Sequence, residues 1–402
     1  ITFLFGILFA ITVVFSSHTI AVFFNEKALY KILLLFSFYI VFFSLQVVPK
    51  ATLNKNFEFR KLAVISVISQ LLSGCVAIIM AYKGFGVFSI VAKYILDALL
   101  TGGLYIYFSE RRLILKIKWS AFSKVFQYSS YQFLFNLLNF FSRNSDNLLI
   151  GKTLGKFDLG IYDRAYQLMQ IPNLLTSQIL NNVLHPVLSN SQHNINKIYT
   201  AYTKVFFAIS VFGLPLSVFL FFSSAEIIPI VYGPQWSNSI SVFKFLALSS
   251  GFQMAMATTG PIFQSTNRTD VLLLSGTINT LNIVLGICIG IYLFGTLQAV
   301  ACALLISFTL NYFITFTIVM RRIFKQQIVK ILPNLLEPII YSIITLLSSL
   351  LVENVVKIED NNLWLLTIRT LVTTFFCVLF LSLHKDSKTK SLIQELRDGL
   401  SR

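Results

Sequence analysis

A chain of 402 residues with 56% hydrophobic and only 12% charged residues, and a mean hydropathy of +0.76, cannot be an ordinary soluble globular protein. Its net charge of +16 would point to nucleic acid in a soluble protein. In a polytopic membrane protein the placement of Lys and Arg reports topology instead, and no nucleic-acid partner is expected.

A bilayer-spanning helix needs about 20 mostly apolar residues. Twelve such stretches are predicted, at 1–24, 29–48, 62–82, 86–108, 127–151, 159–184, 203–222, 238–262, 271–293, 296–318, 335–353 and 363–383. The first begins at Ile1, already apolar and without a charged leader or cleavage site, and is read as a span rather than a signal peptide. In the fourth, Lys93 and Asp97 stand i, i+4 and are expected to neutralise each other, as a structural pair or as part of a cavity lining. Assigning loops alternately to two sides puts 21 of the 32 Lys and Arg on one side and 6 on the other, with five inside spans. The richer side is read as cytoplasmic, so both ends of the chain are expected there.

The segment Phe85-Gly86-Val87-Phe88-Ser89-Ile90-Val91-Ala92 is echoed by Phe294-Gly295-Thr296-Leu297-Gln298-Ala299-Val300-Ala301. Each copy is a turn followed by one span and a basic loop, at 111–118 and 321–330. The second copy follows the fifth span of its lobe and the first follows the third of its own, so two helices are expected ahead of the first lobe. The reading is an all-α polytopic membrane protein, with twelve transmembrane helices of a fourteen-helix, two-lobe transporter. The lobes are 1–118 (four of six helices) and 119–331 (six helices), followed by two appended helices and a cytoplasmic tail at 332–402. Parallel repeats of this kind place a substrate site between lobes.

The fifth and sixth spans carry the polar residues. Gln132, Asn136, Asn139, Arg143 and Asp146 recur at three- and four-residue steps, which is one face of a helix. Asp163 and Arg164 open the sixth span, and Tyr166, Gln170, Asn173, Ser177 and Asn181 continue a polar face. A charge in hydrocarbon costs about 3 kcal/mol even on insertion-based scales, so two adjacent helices bearing several suggest a wet cavity. The alternative is that Arg143 and Asp146 pair and only lock helices together. Lys244 sits within reach of its span's end, and its stem can snorkel. Glu337 and Arg369, on the appended helices, are candidates to pair with each other or to meet lipid headgroups.

Enzyme signatures are absent: no GxSxG, no HExxH and no Walker glycine loop occurs, and the four histidines are scattered. Cys75, Cys288, Cys302 and Cys377 fall inside apolar spans with no CxxC, so no disulfide framework, metal site or cofactor is expected.

The run Ser142-Arg143-Asn144-Ser145-Asp146-Asn147-Leu148-Leu149-Ile150-Gly151-Lys152-Thr153-Leu154-Gly155, with Leu159-Gly160-Ile161-Tyr162 and Ala165-Tyr166-Gln167-Leu168, resembles the signature of Wzx-type polysaccharide flippases. These belong to the multidrug/oligosaccharidyl-lipid/polysaccharide (MOP) exporter superfamily. Val48-Pro49-Lys50-Ala51-Thr52-Leu53, Gly84-Phe85-Gly86-Val87 and Pro229-Ile230-Val231-Tyr232-Gly233-Pro234-Gln235-Trp236 are similar to its short loops. The resemblance implies a MOP/MATE-like fold of fourteen helices in the bacterial inner membrane. It implies, as substrate, an undecaprenyl-diphosphate-linked oligosaccharide for O-antigen, capsule or exopolysaccharide, with membrane lipid and the polysaccharide polymerase and chain-length machinery as partners. Arg143 and Arg164 are then the candidates for the diphosphate, because the Arg fork matches phosphate oxygens. Gln132, Asn136, Asn139, Gln170 and Asn173 are the candidates for sugar hydroxyls, and Asp146 and Asp163 for a coupling proton or sodium ion. Competing readings are a lipid II-type flippase or a multidrug exporter of the same superfamily; the latter should have an acidic cavity poor in cations. From another class, a polysaccharide polymerase should show a long loop, which this chain lacks.

Overall fold

The computed structural model describes residues 2–109, 140, 144–189, 195–266, 268–355, 362–384 and 387–400, and among them no strand occurs. Gln132, Asn136, Asn139, Arg143 and the basic loop 111–118 lie outside the described residues. The chain divides into two units, Ile1–Leu138 and Asn139–Arg402. Ten helical stretches among the described residues are long and apolar enough to cross a membrane. They coincide with ten of the twelve predicted spans; the fifth is described only in part, and the sixth is a helix enriched in polar residues.

The first unit holds α1 (Thr2–Phe23), α2 (Lys27–Lys55), α3 (Phe59–Tyr82) and α4 (Val87–Phe108). α1 packs on α2, and α4 on both α2 and α3. The buried positions of α1 are all small, namely Gly6, Ala10, Ser17 and Ala21, while Phe15 stands 81% exposed. That inversion of a soluble helix is expected in lipid, where large side chains gain nothing by turning inward and small ones let backbones approach. A Cβ on Gly6 would lie 2.3 Å from Ser44 Cβ, so this crossing requires glycine. Lys93 is exposed and Asp97 Oδ1 is buried without a hydrogen-bond partner; the two make no direct salt bridge, although the Lys93 charge still acts on the Asp97 carboxyl.

The second unit begins with a helical run at 144–153 (α5), followed by α6 (Lys156–Ser189), α7 (Ile195–Phe222), α8 (Ser224–Tyr232) and α9 (Ser239–Met256). After these come α10 (Thr259–Ser265), α11 (Thr269–Ile289), α12 (Leu297–Ile318), α13 (Leu336–Val355), α14 (Asn362–Leu383) and α15 (Lys388–Leu400). α9 is the hub, packing on α6, α7 and α12, with Phe243, Leu246, Ala247 and Ser250 fully buried. α13 packs on α7, and α14 on α13 and α8. The two appended helices are therefore integrated into the second unit.

α11 and α12 meet along a polar seam. Asn282 Nδ2 donates to Asn311 Oδ1 at 2.8 Å, Ser307 Oγ to the Asn282 carbonyl at 3.2 Å, and Asn279 Nδ2 to Thr315 Oγ1 at 3.2 Å. Amides and hydroxyls facing lipid would have no partner, so they zip two spans together. Gly86 and Gly295, the glycines of the two echoed turns, both take positive φ, +54° and +66°, a region open to Gly without steric cost. Below the second of these turns the helices touch: a Cβ on Gly290 would lie 2.7 Å from Val300 Cα and 2.9 Å from its backbone nitrogen. Gly290→Ala is therefore expected to destabilise the protein by about 1–3 kcal/mol through forced backbone displacement. Gly276→Ala, where a Cβ meets nothing within 4 Å, should be neutral or stabilising. Unfolding midpoints of the two variants in detergent check this, and equal midpoints would refute it.

Candidate functional site

The polar residues of the second unit are organised by a helical hairpin. The Leu154 and Gly155 amides both donate to the Ile150 carbonyl, at 2.8 and 3.2 Å, closing α5. Gly155, at φ +90°, reverses the chain into α6 as a glycine cap does. At 1.5 Å per residue, Asp146 lies about 13 Å from this turn along α5 and Tyr162 about 10 Å along α6. They meet: Tyr162 Oη donates to Asp146 Oδ2 at 2.8 Å, and the Asn147 backbone N–H donates to Oδ1 at 2.8 Å. Asp146 is 6% exposed and Tyr162 fully buried, its ring stacked on Tyr166 at 5.5 Å between centroids. Tyr162 belongs to the motif quoted above, but its role as the partner of Asp146 follows only from the hairpin.

Arg164 is clasped. Its guanidinium lies over the Trp236 and Tyr232 rings, 5.2 and 5.6 Å from their centroids. Gly233, at φ +93°, makes the turn between those two aromatics, and Ser239 Oγ donates to the Ile161 carbonyl at 3.0 Å, fastening the turn to α6. Arg164 Nη1 donates to Gln167 Oε1 at 3.2 Å, and Gln167 Nε2 to Asp163 Oδ2 at 2.7 Å. The three side chains form one relay beside two ring faces, and the Arg keeps further N–H donors for oxygens.

Deeper along α6, Asn173 is 8% exposed and its Nδ2 donates to Gln253 Oε1 of α9 at 3.3 Å. Gln253 Nε2 continues to Ser249 Oγ at 3.0 Å, and Asn173 Oδ1 is left without a partner. Gln170 is half-buried on a neighbouring face. Of the described candidates, Asp163 and Arg164 are thus brought together through Gln167, Asp146 sits with Tyr162, and Asn173 joins α9. Gln253 and Ser249 carried no signal in sequence beyond being polar in an apolar span. Among the described residues no His, Cys, Asp or Glu cluster could hold a metal ion.

The charges of the appended helices find partners other than those expected. Arg369 Nη2 donates to Glu226 Oε1 of α8 at 2.7 Å, with both side chains buried. Glu226 is the lone acid between 203 and 236, the one cue that could have suggested the pair. Glu337 instead caps α15: its carboxylate accepts from the Lys388 N–H at 2.7 Å, Ser387 Oγ at 2.9 Å and the hydroxyl and N–H of Thr389 at 2.6 and 3.1 Å. A carboxylate at a helix N-terminus satisfies amides that have no intrahelical acceptor. Glu337→Ala should loosen α15 by about 1–2 kcal/mol, read as faster hydrogen exchange at 388–391 with exchange in α13 unchanged.

A family model described as "Polysaccharide biosynthesis protein" matches residues 1–241. The chain belongs to that family. Similar proteins include "Teichuronic acid biosynthesis protein TuaB" of Bacillus subtilis (strain 168), 23% identical over 66% of this chain and 56% of its own length. "Succinoglycan biosynthesis transport protein ExoT" of Rhizobium meliloti (strain 1021) is 28% identical over 56% of this chain and 46% of its own. "Lipopolysaccharide biosynthesis protein WzxC" of Escherichia coli (strain K12) is 21% identical over 70% and 58%. The chain thus spans about half the length of these curated relatives. Among solved structures, "Lipid II flippase MurJ, inward closed conformation" superposes with a TM-score of 0.69, covering 94% of this chain and 81% of that one at 18% identity. The two share a fold.

Proposed function

We propose that the protein moves an undecaprenyl-diphosphate-linked oligosaccharide from the cytoplasmic to the outer leaflet of the inner membrane, for assembly of a surface polysaccharide, with both chain ends in the cytoplasm. The observation that carries this is the α5–α6 hairpin, which holds a buried carboxylate, an Arg relay and side-chain amides within a molecule whose other helices are mostly apolar. From Asp163 to Asn173, α6 rises about 15 Å, half of the hydrocarbon core. Family membership and the shared exporter fold support the same reading.

A diphosphate and its sugars need polar contacts to cross hydrocarbon, while a polyprenyl tail can stay in lipid. In this reading Arg143 and Arg164 bind the diphosphate, Gln132, Asn136, Asn139, Gln170 and Asn173 bind sugar hydroxyls, and Asp146 and Asp163 carry the coupling ion. The chain moves its substrate and makes no covalent bond.

Disruption of the gene in its own host should abolish surface polysaccharide and leave the lipid-linked repeat unit on the cytoplasmic leaflet. Unchanged polysaccharide would overturn the reading, and a cell-wall growth defect with intact polysaccharide would shift the substrate to a cell-wall precursor. Arg143→Ala should abolish export at equal membrane abundance. Should the double change Arg143→Ala with Asp146→Ala restore it, the two residues only neutralise each other.

A further inference from the structure

The end of the second unit that carries the α5–α6 turn holds a cavity of about 620 Å³ that the transport reading does not use. Its size falls within the roughly 300–1,000 Å³ of ligand clefts. It is walled by the first turn of α6, the start of α9 and the turn leading into α12, all within one unit. The chemistry of the wall is mixed: Asp158, Asn238, Ser241, Lys244 and Gln298 contribute a carboxylate, an ammonium, a hydroxyl and two amides, and Phe157 an aromatic face.

These groups are left available. Asp158 has no hydrogen-bond or ion-pair partner among the described residues, although it is only half-exposed. Lys244 does not pair with it; its Nζ lies 5.8 Å from the Phe221 ring centroid. Gln298 Nε2 donates to Ser241 Oγ at a long 3.4 Å, leaving both the amide oxygen and its second N–H free. Phe157 is 69% exposed, so its ring face is open to a molecule in the cavity. A polyprenyl tail would strand the carboxylate and amides without partners. A diphosphate would be repelled by Asp158. A hydroxyl-rich ring suits the set: hydroxyls donate to the carboxylate and to amide oxygens, accept from Lys244 and amide N–H groups, and the ring's apolar face covers Phe157.

We infer that this cavity, whose lining includes neither Asp146 nor Arg164, is a saccharide-binding site, placed at the end of the lobe where the sugars of a carried oligosaccharide would arrive or leave. Its role in export rests on the transport reading above; binding of a sugar there does not. The test uses the full-length protein in lipid nanodiscs, with oligosaccharides of one repeat length released from the host's own surface polysaccharide and free of lipid. Saturation-transfer NMR should show binding by the native protein. Asp158→Asn should weaken it by about tenfold or more, the worth of one charge-assisted hydrogen bond, and Phe157→Ala should weaken it as well. Polyprenyl diphosphate without sugar should not compete. Absence of oligosaccharide binding by the native protein overturns the inference, as does binding that neither variant changes or that sugar-free polyprenyl diphosphate displaces. Since the gene disruption above is read in cells and this binding in vitro, each proposal can fail while the other stands.

Discussion

Arg369→Leu is expected to lower the stability of the protein by about 3–5 kcal/mol, the usual cost of stranding one partner of a buried ion pair. Arg369 and Glu226 retain 4% and 3% of their side-chain exposure, so the loss of the guanidinium leaves a carboxylate with no water to solvate it. The pair is also incompletely satisfied, since Arg369 Nε and Nη1 and Glu226 Oε2 have no further hydrogen-bond partner. Two charges joined by one good hydrogen bond repay little of their desolvation. The double change Glu226→Leu with Arg369→Leu should therefore recover most of the loss, and can exceed the native protein by about 1–4 kcal/mol. Thermal midpoints in detergent, followed by fluorescence-detected size exclusion, check both forecasts. An Arg369→Leu protein that melts with the native one would mean that α14 is held to α8 by its apolar contacts alone.

Asp146→Asn is expected to reduce polysaccharide export at least about tenfold while leaving the protein folded and inserted. The amide is the same shape as the carboxylate, and its oxygen can still accept from Tyr162, while its NH2 then meets the Asn147 N–H that the carboxylate accepts. The change therefore removes one acceptor together with the negative charge, and the charge is the property that a coupling ion or a cationic partner needs. Tyr162→Phe makes the opposite change: it keeps the charge and removes a donor from a buried carboxylate, which costs about 1–3 kcal/mol. That variant should show reduced membrane abundance, with export per molecule less affected. Equal export by Asp146→Asn and the native protein, at matched abundance, would make Asp146 a hydrogen-bond acceptor that fixes the hairpin and nothing more.

Much of this molecule was legible along the chain because the bilayer imposes a length and a polarity on each crossing segment. Ten predicted spans have their counterparts in α1–α4, α7, α9 and α11–α14. Gly86 and Gly295, picked out by an echo of eight residues, both turn with positive φ. Helical periodicity also marked the fifth and sixth spans as a polar pair, of which α6 is the one described in full, because residues three and four apart share a face whatever that face meets.

The identity of the neighbour was not legible in the same way. Arg164 and Trp236, Asn173 and Gln253, and Arg369 and Glu226, 143 residues apart, are joined by helix packing. In lipid no hydrophobic force sorts one apolar face from another. Which faces meet is settled by where small residues such as Gly290 let backbones close together, and by where each buried polar group finds a partner. The sequence alone determined which segments are apolar enough to cross a membrane and which residues share a helix face; the tertiary structure alone decided which charge answers which, because a buried polar group in hydrocarbon must be satisfied by whatever helix the packing brings beside it.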